Sequence, residues 1–450
     1  METKNNITTG VIWKNMLIFF FPIFMGSVFQ QLYNAVDAII VGRFIGKEAL
    51  SAVGGSTFAV VSVWIGFFNG VTSGVTVVVA KYFGAGRTKE VSRAVHTALI
   101  TSLVSGIVFG LVAILCTEQI LQWLMTPDDI FLMSRNYLWI YFASSFGCLF
   151  YNTGAAILRA IGDSKRPLYF LVFTCVVNIA LDVLFVMVFH MGVEGAAVAT
   201  AIAQILSAVL VFIVLLRSKD CYGFKWSECT VDFKILGRIL LVGVPAGLQA
   251  VMYGMSNAVV QAKVNFFGTD TIAAWTAYSK LDSLYWTSLS AMGIAATTFV
   301  GQNYGAGKMD RVKKCINQSL VMTLMMAISL SAMFYFFADP LFRIFVTDAN
   351  VHALGVSQMK FLMPFYFLYA FVEVISGGLR GLEKIVIPTI ISVVLVCGLR
   401  VAWLMVVLPY RNTMEAVMMC YPITWVAAGI AFIIYYLHVL RGMRKRKQLL

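Results

Sequence analysis

The chain has 450 residues, of which 60% are hydrophobic and only 12% charged, with a mean hydropathy of +0.85. Soluble domains carry roughly 25% charged residues, so this composition excludes an ordinary water-soluble globule and points to lipid as the main solvent. A net charge of +13 and a pI of 9.3 would suit a nucleic-acid binder, but here the positive residues sit in short loops between apolar runs, which excludes that reading.

In chain order, the apolar runs predict transmembrane helices over 15–42, 52–80, 94–115, 133–158, 168–189 and 193–216. A polar stretch, 217–238, follows. Six more spans are predicted over 239–262, 271–300, 315–337, 361–379, 386–408 and 415–440, and a basic tail, 441–450, closes the chain. Each run is near or above the roughly 20 residues that cross a bilayer as a helix. The first is too long for the apolar core of a signal peptide, so it reads as a retained helix. The fold class is therefore all-α, a membrane protein of about twelve helices.

Lysine and arginine fall in alternate loops. With the N-terminus inside, twenty-five lie on the cytoplasmic side and seven outside (Arg43, Lys47, Arg135, Lys263, Arg343, Lys360 and Arg411), while Lys280 and Arg400 fall within spans. Positive residues stay on the cytoplasmic side, so both termini are expected there, in the plasma membrane. The tail residues Arg441, Arg444, Lys445, Arg446 and Lys447 are expected to rest on anionic lipid. Eight scattered cysteines show no paired metal spacing and read as packing residues.

The chain repeats itself. Tyr82-Phe83-Gly84-Ala85-Gly86-Arg87 returns as Tyr304-Gly305-Ala306-Gly307-Lys308, each after the second span of a half and before a basic loop. Leu158-Arg159-Ala160 returns as Leu379-Arg380-Gly381, and Pro167, Thr126 and Glu194 return as Pro388, Thr347 and Glu415, all at an offset of 221. Pro22 and Asn34 return as Pro245 and Asn257 at 223. Two homologous lobes follow, 1–216 and 239–440, joined by 217–238, with equal helix parity and hence the same orientation in the membrane. Their interface predicts a central cleft for cargo. The Gly-Ala-Gly turns read as helix terminations, since neither is followed by the Lys-Ser/Thr of a phosphate-binding loop.

An ionisable group inside the bilayer costs about 2.5–3.5 kcal/mol on insertion scales, so each such residue needs a partner or a function. Asp37 lies roughly 9 Å below the outer end of the first helix, Asp182 roughly 12 Å below the outer end of the fifth, and Thr200 roughly 9 Å below that of the sixth, at 1.5 Å per residue. Asn178 precedes Asp182 by one helical turn. These four at one depth predict a coupling site, either an oxygen-lined Na+ site or two like charges that share a proton. The second half carries Lys280, Asp282, Glu373 and Arg400 instead. There, Asp282 with Arg400 or Lys280 is expected to form a neutralising pair or line the cavity, and Glu373 to attract cationic cargo or pair with Lys280. With Gln30, Tyr33, Asn34 and Asn257, these residues are assigned to the substrate cleft.

Taken together, Tyr33-Asn34-Ala35-Val36-Asp37 with Val41-Gly42-Arg43, the two Gly-Ala-Gly turns, the two Leu-Arg-Ala/Gly turns and Gly192 to Ala197 resemble the MATE family, multidrug and toxic compound extrusion, over roughly residues 12–440. The resemblance implies a V-shaped fold of two six-helix lobes and export of organic cations in exchange for H+ or Na+. Asp37, Asn178, Asp182 and Thr200 match the N-lobe cation site of DinF-like members. NorM-like members carry an acid about two turns after the proline of helix seven, where this chain has Gln249 and Tyr253 after Pro245. The expectation is an antiporter, H+ more than Na+ coupled, that exports amphipathic or cationic organic compounds by alternating access, as a monomer and with no cofactor. The alternative is a flippase of lipid-linked precursors, for which cationic cavity residues are few. No nucleophile, His cluster or P-loop supports an enzyme.

Overall fold

The computed structural model describes residues 7–448, with side chains through Met443. Eighteen α-helices account for most of the described chain, and no strand occurs among the described residues. In lipid this is forced: with no water to satisfy backbone N–H and C=O groups, a helix is the way an open chain can cross.

The helices are α1 Ile12–Phe44, α2 Lys47–Gly54, α3 Ser56–Gly84, α4 Thr88–Trp123, α5 Asp128–Ala143, α6 Ser145–Ala160, α7 Lys165–Asp182, α8 Gly192–Arg217 and α9 Phe233–Val264. They continue with α10 Thr269–Gly305, α11 Met309–Phe336, α12 Ala338–Phe345, α13 Ala349–Leu362, α14 Phe367–Gly381, α15 Val386–Ile391, α16 Leu399–Val407, α17 Met414–Met418 and α18 Cys420–Gln448. Two π-helical stretches, Val183–Val188 and Ser392–Gly398, continue α7 and α15.

Nine described stretches are long and apolar enough to cross a membrane, and a tenth is the pair Ala349–Phe365 and Phe367–Gly381, bent by 52°. The other two of the twelve expected spans are less simple. The span predicted at 133–158 is divided at Ser144 into α5 and α6, and that at 271–300 lies in α10, 37 residues long but too rich in polar side chains to pass on apolarity.

The repeated turns stop helices in the same way. Gly86 and Gly307 adopt φ of 67° and 70°. Arg87 N–H then donates to Tyr82 O at 3.0 Å and Gly86 N–H to Phe83 O at 3.1 Å, and Lys308 to Asn303 at 2.9 Å and Gly307 to Tyr304 at 3.0 Å. This satisfies carbonyls that the helix end would leave bare. The Leu-Arg turns do likewise, with Gly162 at φ 100° in the first half and Glu383 at φ 60° in the second.

Two compact units emerge. The first holds Ile18–Gly247; the second runs from Leu248 and takes in the described N-terminal residues through Leu17. They divide inside α9 rather than within 217–238, because the start of α9 sends Ile235 and Ile239 into the same buried cluster as Val79, Leu99, Ile157 and Leu215 of the first unit. The N-terminal segment is held in the second unit through its carbonyls. Lys308 Nζ donates to Thr8 O at 2.9 Å, and Arg311 Nη2 donates to Ile7 O at 3.0 Å and also to Gly10 O.

Within the first unit α6 packs on α3, α4 and α8, and α7 packs on α8. Gly106 of α4 lets α6 come close, for a Cβ there would stand 2.5 Å from the Phe146 backbone. In the second unit α10 and α14 form the central pair, with α11 and α18 beside them. Large apolar side chains such as Leu115, Phe173 and Phe336 stay exposed, as lipid-facing residues do. The side chains of Arg444, Lys445, Arg446 and Lys447, expected on anionic lipid, lie outside the described residues.

Candidate cation site

In the first unit three helices bring the four depth-matched residues together. On α1, Tyr33 and Asp37 stand one turn apart and share a face; on α7, Asn178 and Asp182 do the same; Thr200 comes from α8. The carboxyl groups of Asp37 and Asp182 lie within hydrogen-bonding reach of each other. Asp182 is fully buried and Asp37 is 7% exposed.

Neighbouring groups fix this arrangement. With its amide oriented so that each atom meets a complementary partner, Asn178 donates to Asp182 Oδ2 at 3.0 Å and accepts from Thr200 N–H at 3.2 Å. The Tyr33 hydroxyl lies 3.1 Å from Thr200 Oγ1, tying α1 to α8. Each acid keeps Oδ1 buried without a donor. Buried acceptors without a donor are costly, and a proton or a small cation removes that cost.

Two contributors escaped the sequence. Tyr137 of α5 stands beside Thr200 and both acids, and nothing around it in the sequence distinguishes it among eighteen tyrosines. The π-helical stretch that begins at Val183 immediately follows Asp182. Such stretches recur at functional positions because they re-aim side chains, but they leave no pattern in residue types. Tyr33, assigned with the cleft group, is half-buried at this pair instead, while Gln30 and Asn34 on the same helix are exposed.

The second unit has no equivalent pair. At the repeat offsets of Asp37, Asn178, Asp182 and Thr200 stand Val260, Leu399, Trp403 and Tyr421. The expected ion pair of Asp282 with Arg400 or Lys280 does not form. Asp282 instead accepts from Tyr366 OH at 2.5 Å and Trp286 Nε1 at 2.7 Å, and Tyr366 in turn meets the Tyr278 hydroxyl. Arg400, 3% exposed, donates to Asn257 Oδ1 at 2.8 Å and lies 4.4 Å over the Tyr421 ring. Hydrogen bonds at Asp282, and an amide and a ring face at Arg400, stand where an ion partner was expected. Glu373 is bound to Arg380 at 3.5 Å, not to Lys280, which is exposed. Among the described residues no group of three or more His, Cys, Asp or Glu side chains is placed to hold a metal ion.

A family model, MatE, matches the chain twice, over residues 22–184 and 245–406. The chain belongs to the MatE family. It is thus a multi-pass membrane protein and a secondary transporter, not an enzyme. MATE relatives include the Probable multidrug resistance protein YoeA of Bacillus subtilis, 27% identical over 87% of this chain and 86% of its own length. A Probable multidrug resistance protein NorM of Thermotoga maritima is 26% identical over 88% and 86%, and a FAD transporter of Shewanella oneidensis 23% over 97% and 96%.

Solved structures share the fold. One, described as an outward-facing conformation of a multidrug resistance MATE family transporter of the MOP superfamily, superimposes with a TM-score of 0.92 at 22% identity, covering 99% of this chain and all of that one. A MOP superfamily transporter from Pyrococcus furiosus gives 0.92 at 22% identity and 99% coverage of both. The match of the family model to each half of the chain accords with the internal repeat at 221 to 223 residues.

Proposed function

We propose that this MATE transporter is an antiporter that exports amphipathic or cationic organic compounds, multidrug efflux in kind, in exchange for H+ rather than Na+, by alternating access. The observation that carries the reading is the contact of Asp37 with Asp182, each with an undonated buried oxygen. One shared proton satisfies both carboxyls at once. Na+ would need further oxygens, for which Thr200, Asn178 and Tyr33 are the candidates. The same quartet, Asp37, Asn178, Asp182 and Thr200, is the ground for placing the chain with DinF-like members.

The positive-residue bias supports cytoplasmic termini in the plasma membrane. Each charge that moves down the membrane potential supplies about 2.3 kcal/mol per 100 mV, enough for one or two ions to sustain a cargo gradient. Relatives described as multidrug resistance proteins favour small organic cargo over the lipid-precursor alternative.

The test is proteoliposome uptake of a fluorescent organic cation under separately imposed pH and Na+ gradients. A pH gradient is expected to drive uptake by the wild type, and Asp37→Asn or Asp182→Asn to abolish it while the protein still inserts and folds. Undiminished uptake by both variants sinks the reading, and uptake driven by Na+ alone reassigns the ion.

A further inference from the structure

The segment that joins α8 to α9, residues 218–232, is not a slack tether. Tyr222 and Phe224 are buried in the cluster that also holds Leu99 and Leu215, and Phe224 N–H donates to Leu215 O at 2.9 Å. One side chain of α4 pins the next residue. His96 is fully enclosed, stacked on Phe224 with ring centres 4.7 Å apart, and its Nε2 accepts from Lys225 N–H at 2.9 Å. Its other nitrogen lies 2.8 Å from Ser92 O, an acceptor only. The neutral tautomer with the hydrogen on Nδ1 therefore satisfies both contacts.

We propose that His96 is a proton-responsive clasp on the segment that connects the two halves of the chain. Protonation puts a hydrogen on Nε2, which can then no longer accept from Lys225 N–H. The ring can donate to Lys225 O, 3.1 Å away, but only by giving up the bond that holds the Lys225 N–H.

None of the charged groups around the ring replaces the acceptor that Lys225 N–H loses, and the nearby Glu228 carboxylate favours the charged ring. On the connecting segment, Glu228 is engaged by Ser92 Oγ at 2.6 Å and by Lys225 Nζ at 2.9 Å. On α4, Arg93 lies 3.9 Å from Asp232, which leads into α9, while α8 contributes the uncharged Phe212 against Phe224. Every neighbouring carboxylate is already paired. Proton arrival thus loosens Lys225 and the residues after it from α4, and neutral His96 holds them. The clasp is separate from the Asp37 and Asp182 pair and stands whether or not that pair carries the coupling ion.

Hydrogen–deuterium exchange of the full-length purified protein in detergent micelles tests this, followed on peptides covering residues 221–232. Rates are corrected for the intrinsic pH dependence of exchange, between about pH 8 and pH 5.5, the range over which imidazoles change charge. In the wild type, protection of these amides is expected to fall roughly tenfold across that range, the effect of losing the one bond from Lys225 N–H to the ring. His96→Gln, which offers an oxygen acceptor that does not titrate, is expected to give flat corrected rates. His96→Phe keeps the stack on Phe224 but has no acceptor, and is expected to exchange fast and equally at every pH. Flat corrected rates in the wild type overturn the proposal, as does a wild-type acid response in either variant.

Discussion

Arg380 reaches back along α14 to Glu373, two turns earlier on the same helix, and its Nη2 stands 3.5 Å from Glu373 Oε1. Both side chains keep only about a fifth of their surface exposed, so each charge depends on the other. Removing one partner of such a pair costs far more than removing both. Arg380→Ala is expected to lower stability by about 3 kcal/mol, and Arg380→Ala with Glu373→Gln to recover most of that loss. Thermal unfolding in detergent checks it; equal losses in the single and double variants would contradict it.

Asp282 is held by one donor from its own helix and one from the segment between α13 and α14. Trp286→Phe and Tyr366→Phe each remove a hydrogen bond to a buried acid, at a cost of about 1–3 kcal/mol. Because both act on one carboxyl, the double variant should differ from the sum of the singles, which a double-mutant cycle of unfolding free energies measures.

The left-handed turns at Gly86 and Gly307 offer a test free of packing. A Cβ at either position meets nothing within 4 Å, so Gly86→Ala or Gly307→Ala exposes the backbone preference alone. Each is expected to cost about 1 kcal/mol, read as a lower melting temperature with transport unchanged.

A pH effect arises from Glu228 on the connecting segment. The Ser92 hydroxyl, and then Lys225, hold its carboxyl below the usual glutamate range. A depressed carboxyl adds stability above its unfolded-state range, and that stability is lost as pH falls through the folded value. Ser92→Ala removes the larger cause, so the loss should be smaller and complete at a higher pH than in the wild type. Exchange protection of residues 225–232, followed down an acid titration, checks the direction.

Much of this protein is legible in its sequence because lipid imposes simple rules. Helical spans need long apolar runs, and the runs are visible. The doubled turns are visible too, because a reversed helix end demands left-handed backbone and glycine answers it at Gly86 and Gly307. Depth along a helix is a count of residues, so Asp37, Asp182 and Thr200 could be placed at one level before any coordinates.

Direction around the helix axis is a different matter. That Asp37 turns toward Asp182, that Tyr137 joins them from α5, and that Asp282 takes Tyr366 and Trp286 in place of Arg400 all depend on how neighbouring helices are rotated and spaced. Packing sets those rotations through contacts between residues far apart in the chain, and a bilayer-spanning helix that is apolar on most faces carries little periodic signal to reveal them. Sequence alone set the apolar runs, the repeat and the position of each polar group along its helix. Only the tertiary structure decided which of those groups meet.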